Sequence, residues 1–98
     1  MDTIKLKVGR GIFNIDENDI IMDNGACYQL ITKEIGHGWN KYPPRVSKKM
    51  FKDLKTVGFI FTNDKLDKYA KERYSVKVTL YKFNIEAMKK NWGAYESN

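Results

Sequence analysis

Residues 43–61, PPRVSKKMFKDLKTVGFIF, decide how the chain folds, because this stretch alone combines a helix start, a helix stop, an amphipathic face and concentrated charge. Ser47 carries the short oxygen-bearing side chain that caps a helix N-terminus. Val46 before it and Phe51 after it have the spacing of a hydrophobic staple, which fixes the angle at which the chain enters the helix. Met50, Leu54 and Val57 recur at i, i+4 and i+7, so at about 100° per residue they form one stripe with Phe51 on its flank, and that stripe is the expected buried face. Gly58 can adopt the left-handed backbone that ends a helix, and Phe59-Ile60-Phe61 then reads as a short strand. On the same wheel Lys48, Lys52 and Lys55 fall within a sector of roughly 60° opposite the stripe, a lysine ridge expected to face solvent.

Working upstream, Gly36 to Val46, GHGWNKYPPRV, has no helical or strand period, and its two glycines and two prolines make it a loop. Trp39 and Tyr42 lie in it beside Lys41 and Arg45, and aromatic rings interleaved with cations suit base stacking combined with phosphate contact. The more ordinary reading of the same rings is that they fold back as lids on the core. Ile20–Met22, then Asp23-Asn24-Gly25, then Cys27–Thr32 read as a hairpin with an Asn-Gly type I′ turn; a helix from Ala26 to Ile35 is the alternative. Ile4, Leu6 and Val8 alternate with lysines in a first strand, Gly9-Arg10-Gly11 is a tight turn or bulge, and Ile12–Ile15 is a second strand.

Downstream, Asn63 caps a short charged helix reaching Tyr74. Ser75–Phe83 alternates Val76, Val78 and Leu80 with Lys77, Thr79 and Tyr81 as the clearest strand, central to a sheet. Asn84 caps a last helix in which Ile85, Met88 and Trp92 share a face and which Gly93 ends. The expected fold is a single α+β domain over residues 1–98, a mainly antiparallel sheet with two or three short helices.

Ninety-eight residues suffice for one core. The apolar runs are far shorter than the roughly 20 residues that span a bilayer and no signal-peptide pattern is present, so a cytoplasmic, membrane-free protein is expected. One cysteine, Cys27, excludes an internal disulfide and a cysteine-rich zinc site. The net charge of +6 is uneven: residues 1–32 hold three basic and five acidic side chains, residues 33–98 fifteen and seven. A polyanion partner suits that excess.

Groups for turnover are scarce. Cys27 and His37 are the only thiol and imidazole and could form a dyad only if the fold joined them. Asp16, Glu17, Asp19 and Asp23 have the spacing of a solvated turn rather than of an oxygen cage for a metal. Neither metal nor cofactor is expected, and binding is favoured over catalysis.

The stretch beginning SKKMFKDLKTVGFI at Ser47 resembles the third helix and following strand of winged helix-turn-helix domains over residues 47–61, a resemblance that extends to residue 83 if Ser75–Phe83 is the returning wing strand. It implies a winged helix, with a helical segment at residues 26–35, as the alternative fold, and groove or phosphate contacts for Lys48, Lys49, Lys52 and Lys55. Two functions follow. The first is a small nucleic-acid-binding module using the lysine helix and the loop residues Trp39, Lys41, Tyr42 and Arg45. The second is a phage- or mobile-element-encoded inhibitor or adaptor docking on an acidic surface of a larger, nucleic-acid-processing protein.

Overall fold

The computed structural model describes residues 3–32 and 43–96. Strand β1, Ile4–Val8, buries every second side chain, as its alternation requires, and pairs antiparallel with β2, Gly11–Ile15, in a two-stranded sheet of its own. Val8 and Gly11 are register partners, leaving Gly9 and Arg10 as a two-residue turn. Gly9 alone has positive φ, +61°, the pattern of a type II′ hairpin.

After the turn at Asp16–Asp19, β3 (Ile20–Asp23) and β4 (Tyr28–Ile31) form the expected hairpin, which excludes the helical alternative over those residues. Its turn is not type I′. Among the described residues no non-glycine φ is positive, so Asn24 cannot supply the first of the two angles that turn needs. Instead Asn24 Oδ1 accepts hydrogen bonds from the Ala26 and Cys27 amides, and Asp23 Oδ1 accepts one from Gly25 N. These side-chain bonds hold a longer loop.

Strand β5 is only Arg45–Val46, paired with β4 at the sheet edge, and leads straight into helix α1, Lys48–Thr56. Ser47 Oγ accepts from Met50 N at 3.1 Å, as an N-cap should. At the other end Gly58, φ +83°, donates to Lys55 O and Phe59 N to Leu54 O, the paired bonds of a Schellman motif. Strand β6 (Ile60–Phe61), helix α2 (Asp64–Arg73), strand β7 (Thr79–Phe83) and helix α3 (Ile85–Glu96) complete the chain. Asn63 and Asn84 cap the two helices through their Oδ1 atoms.

The larger sheet runs β5-β4-β3-β7-β6, all antiparallel, with β7 interior as expected. Register partners share a face, so Ile21, Leu30, Tyr81, Phe83 and Ile60 point to one side. There they form the main core with the inward residues of β1 and β2, Phe51 and Leu54 of α1, and Met88 of α3. Leu80 and Val78 point to the other side, where Ala70 and Leu66 of α2 meet them beside Ile20 and Met22. The molecule is therefore α+β, with helices on both faces of an antiparallel sheet.

Beyond the turn type, four expectations need correction. The buried stripe of α1 is Phe51 and Leu54, with Met50 half-buried and Val57 49% exposed, because Val57 is the C-cap and lies beyond the last packed turn. The last strand starts at Thr79 rather than Ser75. Its partner β3 ends at Asp23, opposite Thr79, and residues 75–78 close a turn on the Ser75 hydroxyl and carbonyl that leaves Val76 77% exposed. Helix α3 passes through Gly93, which does not take the positive φ that would end it. The N-terminal hairpin stands apart from the main sheet instead of extending it. As for the winged-helix alternative, the described elements before α1 are strands, and the segment between β6 and β7 is helix α2.

Candidate nucleic-acid interface

Helix α1 is held on the sheet by aromatic packing. The Phe51 ring stacks on Tyr28 of β4, centroids 3.9 Å apart and planes 7° from parallel, and meets the edge of Tyr81 of β7 at 5.0 Å. This anchoring rotates the helix from the orientation its apolar spacing implies. With Phe51 and Leu54 facing inward, the row Lys48, Lys52, Lys55 runs along one flank instead of lying opposite the core. Lys55 is at the inner margin of that flank, its Nζ 5.6 Å from the centre of the Tyr81 ring, within cation–π range. Lys48 and Lys52 are exposed. None of the three has a carboxylate at ion-pair distance among the described residues. Lys49 differs, since its Nζ lies 2.9 Å from Asp53 one turn on.

Charge placement along the helices is unequal. Acidic side chains stabilise a helix N-terminus and basic ones its C-terminus, because aligned peptide dipoles leave partial positive charge at the start. Helix α2 follows that rule with Asp64 and Asp67 in its first turn and Lys71 and Arg73 in its last, and α3 starts with Glu86. Helix α1 has no acidic residue in its first turn and opens with Lys48 and Lys49. The start of α1 thus gathers two ammonium groups at the positive end of the dipole; Lys49 is offset by its pair with Asp53, and the Lys48 charge opposes helix stability and attracts anions.

Of the remaining expected binding residues, Arg45 is exposed but on the other side of the sheet. Its register partner is Gln29, and the next residue, Val46, is the one that turns into the core beside α1. The structure therefore separates Arg45 from the lysine row. Trp39, Lys41 and Tyr42 lie outside the described residues, as does His37. Cys27 is half-buried at the β3–β4 turn. Asp16 and Asp19 serve the turn before β3, where Asp19 Oδ2 accepts from Asp16 N and Asp16 Oδ1 from Asn18 N. Among the described residues no three His, Cys, Asp or Glu side chains group as metal ligands would, and no helix is long and apolar enough to cross a membrane.

A feature absent from the sequence reading is a cleft of about 400 Å3 between α2 and the sheet, with Lys82 in its wall. In the sequence Lys82 lies near the end of the Ser75–Phe83 alternation, in phase with Val78 and Leu80, and nothing local marks it as part of a site. The placement of α2 over that face makes it part of this cleft.

No protein-family model, no curated protein and no solved structure matches the chain.

Proposed function

We propose that the protein is a small non-catalytic binding module that docks on nucleic acid through helix α1. The observation that carries this reading is the start of α1, where Lys48 sits at the positive end of the helix with no acidic residue in the turn, and Lys52 and Lys55 continue the charge along one flank, while Lys49 is already paired with Asp53. A helix shaped by stability alone would carry Asp or Glu there, as α2 and α3 do. Phosphate oxygens are the ligands that turn this unfavourable charge to use, since each contact releases condensed counterions from the polyanion. The row of lysines has the character of a backbone contact rather than of base reading, because an ammonium is a point charge without the planar fork that matches base edges.

Binding of random-sequence duplex and single strands, measured at two salt concentrations, tests the proposal. Affinity for at least one of them should be measurable at low salt and fall steeply as salt rises. If neither is bound at low salt, the nucleic-acid reading fails, and the same lysines become contacts for the acidic surface of a protein partner, as the inhibitor or adaptor reading requires.

A further inference from the structure

Helix α2 packs on the second face of the sheet mainly over β7, and the cleft of about 400 Å3 lies along it, lined from its N-cap Asn63 to its C-cap Tyr74. Ile20, Leu66 and Leu80 form its apolar floor. Lys65 and Lys82 bring two ammonium groups to it, Tyr69 and Tyr74 bring two rings, and Asn18 and Asn63 two amides. No carboxylate lines it. Lys82 is the informative residue. On this face of β3, β4 and β7 the side chains are Ile20, Met22, Gln29, Ile31, Leu80 and Lys82, so Lys82 is the single charge. It is half-buried between its cross-strand neighbours Ile20 and Phe61. Among the described residues it has no carboxylate at ion-pair distance. A second depression lined by Lys82, about 520 Å3, does carry Glu17 and Glu86, so of these two hollows the one on the α2 side combines lysines with a lining free of acidic groups.

We infer that this cleft binds a nucleotide, with the phosphate on Lys82 and Lys65 and the base against Tyr69 and Tyr74. The chemistry fits part by part. A half-buried cation on an apolar surface is favoured by an anion that neutralises it, exposed tyrosine rings offer faces on which any base can stack, and asparagine amides can bond a base edge. Asn63 Oδ1 is occupied by the Leu66 amide, which leaves the NH2 group of Asn63 as a donor. The volume is within the range of small-ligand sites. The site is separate from the α1 row, so either can be lost without the other.

Titration of the isotope-labelled protein with AMP, adenosine or inorganic phosphate, followed by amide NMR shifts, provides the test. AMP should shift the amides of Ile20, Leu66 and Leu80 saturably, and adenosine and phosphate should each bind at least about tenfold more weakly, since each offers only part of the ligand. Lys82→Gln should weaken AMP by about tenfold or more, and Tyr69→Ala by about fivefold or more. Tyr69 is 48% exposed, so its variant keeps the test open if Lys82→Gln disturbs the fold. The variant with Gln at positions 48, 52 and 55 should bind AMP within about twofold of wild type. A 5′-phosphorylated tetranucleotide distinguishes the source: tighter binding than AMP marks a strand end, equal binding a free nucleotide. No saturable shift up to about 10 mM AMP, shifts confined to α1, or phosphate binding as well as AMP would each overturn the inference.

Discussion

Phe51 carries the placement of the lysine helix. Its ring is stacked on Tyr28 and edge-on to Tyr81, so truncation removes two aromatic contacts and opens a void at the α1–sheet junction. Phe51→Ala should cost about 3 to 5 kcal/mol, a large part of the total of about 5 to 15 kcal/mol for a domain of this size, and urea denaturation reads it directly. Lys55 shows the same junction from the charged side. Over Tyr81 its ammonium contributes about 0.5 to 1 kcal/mol, so Lys55→Gln should lower stability by that amount while Lys52→Gln, exposed and without such a contact, should change it by less than about 0.5 kcal/mol. Equal effects from both would mean that Lys55 does not lie on the ring.

At the scale of the element, α1 was the most legible part of the chain, and it also shows where sequence reading stops. Its cap, length and terminating glycine are local properties: Ser47, the Val46–Phe51 spacing and Gly58 act on neighbours a few residues away. Its rotation is not local. Spacing gave Met50, Leu54 and Val57 equal standing, and only the rings of Tyr28 and Tyr81, contributed by distant strands, select Phe51 and Leu54 instead. Two outcomes follow for this helix. Gly58→Ala should destabilise by about 1 kcal/mol or more, because φ is +83° and nothing lies close enough for the new methyl group to gain contacts. Lys48→Glu should do the reverse, raising stability by about 0.3 to 1 kcal/mol through the helix dipole while weakening nucleic-acid binding. A stabilised variant that binds as well as wild type would remove Lys48 from the interface.

On the scale of the whole molecule, the strands and their antiparallel pairing could be read from alternation and turn residues, but the two-sided burial of β7 could not. Leu80 and Tyr81 are adjacent and both buried, which happens only where both faces of a strand are covered, and the cover on one face is α2, a helix whose charged sequence looks solvent-borne. The cleft beside Lys82 was hidden for the same reason, since it is closed by α2 and β7 together with Ile20 of the distant β3 and Asn18 just before it. The lysine row, by contrast, was visible because one helix supplies all of it. Arg45, read from the sequence as part of the aromatic loop of the same binding module, is put by the parity of a two-residue strand on the face opposite the lysine row.

The excess of basic over acidic residues after position 32 gives the molecule a field that would attract any polyanion, so affinity alone does not locate the contact. Salt dependence does. Duplex binding by wild type and by the variant with Gln at positions 48, 52 and 55 should be measured across a salt series, with a thermal melt confirming that the variant is folded. Each phosphate contact contributes about 0.9 to the slope of log K against log salt, so the variant's slope should be shallower by about 2.7. A folded variant with the wild-type slope would contradict the assignment of the interface to α1.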